Sequence, residues 1–428
     1  MKHSGVMKGY RNLFGYRGFG RLLGIFEAGY VNVEISYLTL AAVIGVFTLN
    51  PLWFGVIALL RSSPRVFFSS LSGYWCDKYS PSRVLFYANL AGAGAFFLLG
   101  VLGGGKMLNL RLLAAMCFII SACAVSHPIA SNAALGNIVS KNDNLAAQTL
   151  FEAGFNFAGI IGAPIAGIII NSMGIYHAFY IQGAILLLTA FLAWKMRARK
   201  KSAVPPTSMG EGARFILKGA SLESRILLSL GVFTAWSFGC LMTVYTQAPF
   251  YFLTALKLNA KTAGYLFSAA SVFIFLISWG AKPLMEKMGA GKTLLMSGLS
   301  CAIAILIFSA TTSLAWLLIA LVLGAVGCSA IKIAGNNLCH ILSPQKICGS
   351  VLGVYGLFGY AGISAGIFLF SWAAKDFGYQ KSYLGTGGIS LLGISIYYMT
   401  PLKNLRVRPQ DFSVAPIIPG PPEAAEPC

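Results

Sequence analysis

The chain has 428 residues, of which 57% are hydrophobic and 10% are charged, and its mean hydropathy is +0.74. A soluble domain carries about a quarter charged residues, so this composition excludes a soluble protein. The formal net charge of +20 does not indicate a nucleic-acid-binding protein, because the basic residues are spread along the connections between apolar segments. No nucleic-acid partner is therefore expected.

Apolar runs of roughly twenty residues recur along the whole chain, each long enough to cross about 30 Å of hydrocarbon as a helix. They are too long for barrel strands and show no period-two alternation, which excludes an outer-membrane barrel. We expect an all-α integral membrane protein in a lipid bilayer. The twelve predicted transmembrane spans are residues 22–48, 52–72, 84–103, 112–137, 145–171, 175–195, 226–252, 262–282, 292–311, 314–341, 347–373 and 380–400.

The basic residues predict the orientation of these spans. Of the 32 Lys and Arg residues, 23 fall on the side of the chain termini, 6 on the opposite side and 3 within spans. Lys and Arg accumulate on the cytoplasmic side of membrane proteins, so both termini are predicted to be cytoplasmic. No secretory signal peptide precedes the first span, which is expected to direct insertion into the inner or plasma membrane itself.

The longest polar stretch divides the spans into two sets of six. It is rich in Lys and Arg, as is usual for a cytoplasmic loop beside anionic headgroups. The predicted parts are a cytoplasmic N-terminal segment over 1–21, an N-terminal six-helix bundle over 22–195, a cytoplasmic basic linker over 196–225, a C-terminal six-helix bundle over 226–400 and a cytoplasmic Pro-rich tail over 401–428.

The two halves also repeat each other in sequence. Asp77 and Lys78 after the second span correspond to Glu286 and Lys287 after the eighth, at an offset of 209 residues. A second set, Ile138, Ser140, Gly159 and Ala163, corresponds to Ile341, Ser343, Gly362 and Gly366 at an offset of 203 residues. Duplicated bundles with a substrate site between them are typical of secondary transporters.

Chemistry other than transport finds little support in the sequence. The nine cysteines are scattered singly, without CxxC pairs or zinc-ligand spacing, so neither a disulfide framework nor a metal site is predicted. No P-loop, HExxH or GxSxG pattern with plausible partners occurs. We therefore expect no enzyme and no cofactor.

The loop after the second span carries a signature. Segment 73–83 has a Gly, three residues, an Asp and a base, followed by small and basic residues, and it resembles the loop between the second and third spans of the major facilitator superfamily. Ser80 and Pro81 depart from the usual pattern. The resemblance implies the major facilitator fold, with two pseudo-symmetric bundles and a gating loop. The implied gating residues are Gly73, Asp77, Lys78 and Arg83, with Glu286 and Lys287 in the second half.

The fifth span carries a Gly-Pro run made of Gly159, Gly162, Pro164 and Gly167. It resembles the motif of the family's exporters. In the order of its sequence features, the chain resembles the branch that contains the bacterial enterobactin exporters. The resemblance implies export. Small residues let helices approach closely and Pro164 frees a backbone carbonyl, so simple helix packing is the alternative interpretation.

Four charged residues of the first two spans are candidates for coupling. Glu27 and Glu34 lie two turns apart on one helix face, and Arg61 and Arg65 lie one turn apart with a proline between them. A charge in mid-membrane costs about 2.5–3.5 kcal/mol, so such residues usually have a function. We predict that Glu34 pairs with Arg61 or Arg65 and that its protonation couples proton flow to transport. A fixed salt bridge that only orients helices is the alternative.

Further polar residues lie in other spans. Lys332 in the tenth span is a candidate ligand for an anionic solute, with snorkelling as the alternative. His127 can titrate near neutral pH, although a lone His in a helix usually serves packing. The amides Asn132 and Asn336 are expected to face the interior, where they can bind substrate or hold helices together. Gln247 lies in an aromatic and amide cluster that suits an amphipathic, ring-bearing solute, with an interfacial aromatic belt as the alternative.

The sequence thus predicts a proton-coupled secondary transporter that works by alternating access, as a monomer. Export of a small amphipathic or siderophore-like solute is the first interpretation. Uptake of an anionic nutrient or siderophore fits the cations Arg61, Arg65 and Lys332 equally well. A channel or a transport-inactive sensor is the alternative from another functional class.

Overall fold

The computed structural model describes residues 12–140, 143–196, 209–219, 221–344 and 347–405. Every regular element within these ranges is helical. The α-helices are α1 (Phe19–Phe47), α2 (Pro51–Ser62), α3 (Pro64–Lys78), α4 (Pro81–Gly104), α5 (Leu110–Ile138), α6 (Asn144–Ser172), α7 (Ile175–Trp194), α8 (Met209–Lys218), α9 (Leu222–Thr254), α10 (Ala260–Met288), α11 (Ala290–Ala310), α12 (Leu314–Leu342), α13 (Cys348–Phe377) and α14 (Tyr379–Met399), followed by a 3₁₀ turn over Pro401–Asn404.

Each predicted span coincides with a helix, except that the second span is divided between α2 and α3. Within the described residues, nine helical segments are long and apolar enough to cross a membrane by length and composition. The predicted linker contains one short helix, α8, whose Ile216 is buried while Arg214 and Leu217 are exposed. This amphipathic helix packs against α13 and α9.

The division of the second span follows from its sequence. Asn50 accepts a hydrogen bond from the backbone N–H of Leu52 and so caps α2, with a proline at the first helical position. Pro64 has no N–H group to continue the helical ladder, and α2 therefore ends at Ser62. The break lies between Arg61 and Arg65, which consequently belong to different helices.

Helix packing repeats between the two halves. In the N-terminal half, α4 packs against α7, α1 against α6, and α3 against α5. The corresponding pairs in the C-terminal half are α11 with α14, α9 with α13, and α10 with α12. The sequence repeat is thus matched by a structural repeat, and the prediction of two pseudo-symmetric helical bundles is confirmed.

The bundles meet at their distal end, defined as the end opposite the one where α1 begins and α14 ends. There the rings of Phe54 and Phe250 stack at 5.1 Å, and further into the membrane, at the break between α2 and α3, the hydroxyl groups of Ser62 and Ser364 lie 2.9 Å apart. A groove of about 520 Å³ opens between the bundles at this end, with Asn171 and Lys257 among its lining residues.

A second junction joins α6 to α10. The hydroxyl of Ser268 donates a hydrogen bond of 2.6 Å to the carbonyl oxygen of Ile160. Among the described helices, no comparable packing joins α3 to α13 or α5 to α12. The Phe54–Phe250 contact closes the distal end between the bundles.

Candidate substrate and proton site

Two arginines at the break in the second span lie over tyrosine rings. The guanidinium carbon of Arg61 is 4.4 Å from the ring centroid of Tyr37 in α1. That of Arg65 is 4.9 Å from the ring centroid of Tyr360 in α13, and Arg65 also hydrogen-bonds the side chain of Tyr37. The Arg65–Tyr360 contact crosses from one bundle to the other. Cation–π contacts contribute about 0.5–2 kcal/mol and leave guanidinium N–H groups free to bind an anion.

Glu34 lies near Arg61, so that their opposite charges interact. Its Cβ and Cγ pack against Gly162 of α6, where an added methyl group would lie 2.5 Å from the Glu34 Cβ. Within the described residues, neither Arg61 nor Arg65 forms a direct ion pair with Glu34. Of the two predicted partners, Arg61 is the one whose charge acts on Glu34.

Glu27 occupies a different environment. Its carboxyl group is pressed against Gly154 of α6, so closely that no methyl group fits at that position. Both carboxyl oxygens are buried and have no hydrogen-bond partner among the described residues. Glu27 and Glu34 therefore both face α6, but only Glu34 has a cation beside it.

His127 is wedged between α5 and α1. Its Nε2 lies 3.4 Å from the carbonyl oxygen of Phe26, and its ring fills the space left by Gly29. The imidazole stacks at 6.3 Å from the ring of Phe26 and lies edge-on at 6.1 Å from Tyr30. These contacts place His127 in the packing between two helices of one bundle.

Lys332 approaches the N-terminal bundle from α12. Its side chain is exposed, and its Nζ lies 5.2 Å from the ring centroid of Phe155 in α6. Phe155 in turn packs edge-on against Tyr30 at 4.7 Å. Asn336 is also exposed and lies one turn from Lys332. Lys332 thus supplies a cation from the C-terminal bundle to an aromatic wall of the N-terminal bundle.

Two other predicted amides have different surroundings. Gln247 is fully buried and donates a hydrogen bond to the hydroxyl of Ser371 in α13. It therefore holds two helices of the C-terminal bundle together. Asn132 is exposed and donates a hydrogen bond of 2.9 Å to the carbonyl oxygen of Pro128 in its own helix.

The gating-loop residues are only partly described. The Nζ of Lys78 lies 5.6 Å from each of the ring centroids of Tyr74 and Tyr79, and Arg83 is exposed. The predicted residues whose side chains lie outside the described ones are Gly73, Asp77, Glu286 and Lys287.

The Gly-Pro run of the fifth span lies at the meeting point of α1, α6 and α10. Gly162 faces α1, where it contacts the side chain of Glu34. Gly159 faces Ser271, and Gly167 faces the carbonyl group of Ala260, both in α10. Pro164 lies inside α6, close to Gly264 of α10. The run therefore allows close packing both within its bundle and between the bundles.

Sequence reasoning missed Tyr37, Tyr360, Phe155 and Gly154. Tyr37 follows Glu34 by three residues on the same helix face, and this spacing was a usable signal. The other three carry no local signal, because they act through contacts with residues far away in the sequence.

The sequence profile of the Major Facilitator Superfamily matches residues 19–366 and 280–420. No curated protein sequence matches the chain significantly.

Solved structures of transporters share its architecture. A bacterial homologue of the human lysosomal transporter Spinster, in an inward-facing and unoccupied conformation, has a TM-score of 0.73 and 14% identity, covering 94% of this chain and 99% of that one. The nucleoside transporter NupG has a TM-score of 0.70 and 14% identity, covering 89% of this chain and 98% of that one. A POT family transporter in complex with 5-aminolevulinic acid has a TM-score of 0.72 and 13% identity, covering 90% of this chain and 96% of that one.

At such low identity, these structural matches establish the fold alone, whereas the profile covers most of the chain and establishes the family. The described helices, their repeated packing and the profile match agree with one another. The protein is a multi-pass membrane transporter of the secondary type, and the chain belongs to the major facilitator superfamily.

Proposed function

We propose that the protein is a proton-coupled carrier that moves a small organic anion across the membrane by alternating access. The observation that carries this proposal is the set of charged residues inside predicted spans: Arg61 and Arg65 lie over tyrosine rings, Lys332 lies over Phe155, and Glu34 lies near Arg61. Glu27 lies on the same face of α1, nearer the predicted cytoplasmic end. Charged groups inside a membrane span are costly and are retained where they bind substrate or ions.

The aromatic rings around these cations favour an anion that also carries a ring or another apolar part. Tyr37, Tyr360 and Phe155 each lie beneath one of the three cations. A planar guanidinium group binds a carboxylate or phosphate through paired hydrogen bonds. An amphipathic or siderophore-like anion fits such a site better than a sugar or a cation.

The charges support cotransport of protons and anions. When Glu34 is ionised, it competes with an anionic solute for Arg61; when it is protonated, Arg61 is free. Proton and anion then bind more tightly together than alone, and an inward proton gradient drives uptake.

Export is the second candidate function, and it is favoured by the resemblance of Gly159–Gly167 to the exporters' motif. The contacts of this run with α1 and α10 serve helix packing in either direction of transport. Export of an anion would require a proton to displace it, which the Glu34–Arg61 geometry does not favour.

The test is a comparison of small molecules inside cells and in their medium, with and without this protein, under iron-replete and iron-starved growth. An anion left unconsumed in the medium of the deletion strain supports uptake, and one trapped inside the cells supports export. A cationic compound as the only difference would contradict the proposed anion site. No difference at all would favour the sensor.

The transported compound is then examined in liposomes that contain the purified protein. A carrier gives saturable counterflow and proton-driven accumulation, whereas a channel gives neither. The double variant Glu27→Gln with Glu34→Gln is expected to retain counterflow and to lose accumulation. Accumulation in that variant would contradict proton coupling through α1.

A further inference from the structure

The Glu27 carboxyl group occupies a notch in α6 that exists because residue 154 is glycine. A methyl group at position 154 would overlap the carboxyl carbon and both oxygens of Glu27. Gly154 is half-buried and lies in the middle of a continuous helix, so its lack of a side chain is not needed for a turn. The lack of a side chain instead makes room for the carboxyl group.

The notch shields the carboxyl group without neutralising it. Among the described residues, both buried oxygens have no hydrogen-bond partner and no charged side chain acts on them. The neighbouring titratable groups are directed elsewhere: His127 of α5 towards the backbone of Phe26, and Lys332 of α12 towards Phe155. Burial of an unpaired carboxylate is costly, and binding a proton removes that cost.

Glu34 lacks these properties, although it lies on the same face of α1. It packs against Gly162 through its Cβ and Cγ, and the charge of Arg61 lies beside it. The charge of Arg61 offsets part of the cost of an ionised Glu34, whereas no cation among the described residues does so for Glu27.

We propose that Glu27 is the residue that carries the transported proton and that Gly154 is the residue that positions it. This inference rests on the proposed proton-coupled function and assigns the two acids different tasks. Glu34 modulates Arg61 at the substrate site, and Glu27 takes up and releases the proton.

Phe155 follows Gly154 in α6 and carries Lys332 of α12 above its ring. The notch therefore lies in the part of α6 that also contacts the C-terminal bundle.

The test needs no transported compound. Infrared difference spectra of the purified protein, recorded between acidic and alkaline buffer, detect the C=O stretch of a carboxylic acid that gains or loses a proton. Glu34 also changes its protonation in the proposed function, so its band is identified first as the one that Glu34→Gln removes. We expect a second band that remains in Glu34→Gln and that Glu27→Gln removes. Absence of this second band, or its persistence in Glu27→Gln, would overturn the assignment.

The role of Gly154 is tested by size complementation. Gly154→Ala is expected to shift or remove the second band because the methyl group displaces the carboxyl. Adding Glu27→Asp shortens the acid by one methylene and is expected to restore a protonatable band. Gly24→Ala in α1, where a methyl group meets no atom within 4 Å, is the matched control and should leave the band unchanged.

An unaltered band in Gly154→Ala would remove the positioning role. The positioning role would also be contradicted if the double variant Gly154→Ala with Glu27→Asp shows no infrared band although the protein elutes and melts like wild type. These outcomes are separate from the proposed function, since the band reports proton binding and the metabolite comparison reports transport.

Discussion

The two bundles share one packing plan and differ in the chemistry of their interiors. Of the charged candidate residues inside the spans, the N-terminal bundle carries Glu27, Glu34, Arg61 and Arg65, whereas the C-terminal bundle contributes Lys332. In place of charges, the C-terminal interior has buried or partly buried thiols and a tyrosine whose hydroxyl group is buried. These residues are Cys240, Cys301, Cys328 and Tyr245.

The internal repeat therefore preserves the residues that pack the helices, but it does not preserve the charged residues of the candidate site. At the offset of 209 residues, Arg61 corresponds to Ala270, which is buried. At the offset of 203 residues, Lys332 corresponds to Ile129. Small residues recur because helix contact requires them in both halves, but a charge is useful only where it meets substrate or a proton.

The largest effect is expected from removing a cation of the charged bundle. Arg61→Gln deletes a charge that is worth about 1.5–3 kcal/mol in a charge-assisted hydrogen bond, so anion affinity should fall roughly 10- to 100-fold. The measurement is competition for binding or uptake of the anion found in the metabolite comparison. Arg111→Gln, at an exposed position in the first turn of α5, is the control. Equal affinity in Arg61→Gln and wild type would contradict an anion site in this bundle.

The next effect concerns stability and belongs to the C-terminal bundle. A methyl group at Gly362 would collide with the backbone carbonyl of Ala235, because α13 and α9 touch there. Overpacking of this kind costs about 1–3 kcal/mol, so Gly362→Ala should lower the melting temperature in detergent. Gly356→Ala on the same helix meets no atom within 4 Å and should melt like wild type. If both variants melt alike, the two helices are not in the close contact described.

Most of the fold was predictable from the sequence, because apolar runs of membrane length define the spans directly. The predicted first span, 22–48, became Phe19–Phe47, and the predicted twelfth, 380–400, became Tyr379–Met399. The second span was predicted as one helix over 52–72. It became two, because hydropathy does not register the missing N–H group of Pro64.

The site was less predictable, for a physical reason. The cost of a buried charge identifies Glu27, Glu34 and Arg61 as residues of interest, but it says nothing about what faces them. Gly154 and Tyr360 gain their importance only through helices that come together in the folded protein. The sequence also does not reveal that the amide of Gln247 bonds Ser371 between α9 and α13.

A smaller effect is expected at the junction between the bundles. A methyl group at Gly167 would lie 2.5 Å from the carbonyl oxygen of Ala260, in a contact made while the distal end is closed. Gly167→Ala should therefore favour the distal-open conformation by about 1 kcal/mol or more. The conformational shift is measured by combining Gly167→Ala with Asn171→Cys, whose position lines the distal groove, and recording the rate at which a maleimide labels that cysteine. Faster labelling than in the Asn171→Cys background alone is expected, and slower labelling would contradict the assigned conformation.

The smallest effect is expected from Lys332, the candidate cation of the C-terminal bundle. Lys332 is exposed, and a solvent-screened charge contributes up to about 1 kcal/mol, so Lys332→Met should weaken anion binding about fivefold. Lys332→Arg keeps the charge and the contact with the ring of Phe155 and should bind nearly as well as wild type. A loss as large as that in Arg61→Gln would show that the anion is held equally by both bundles. The C-terminal bundle would then be part of the binding site and not mainly the packed partner against which the N-terminal bundle moves.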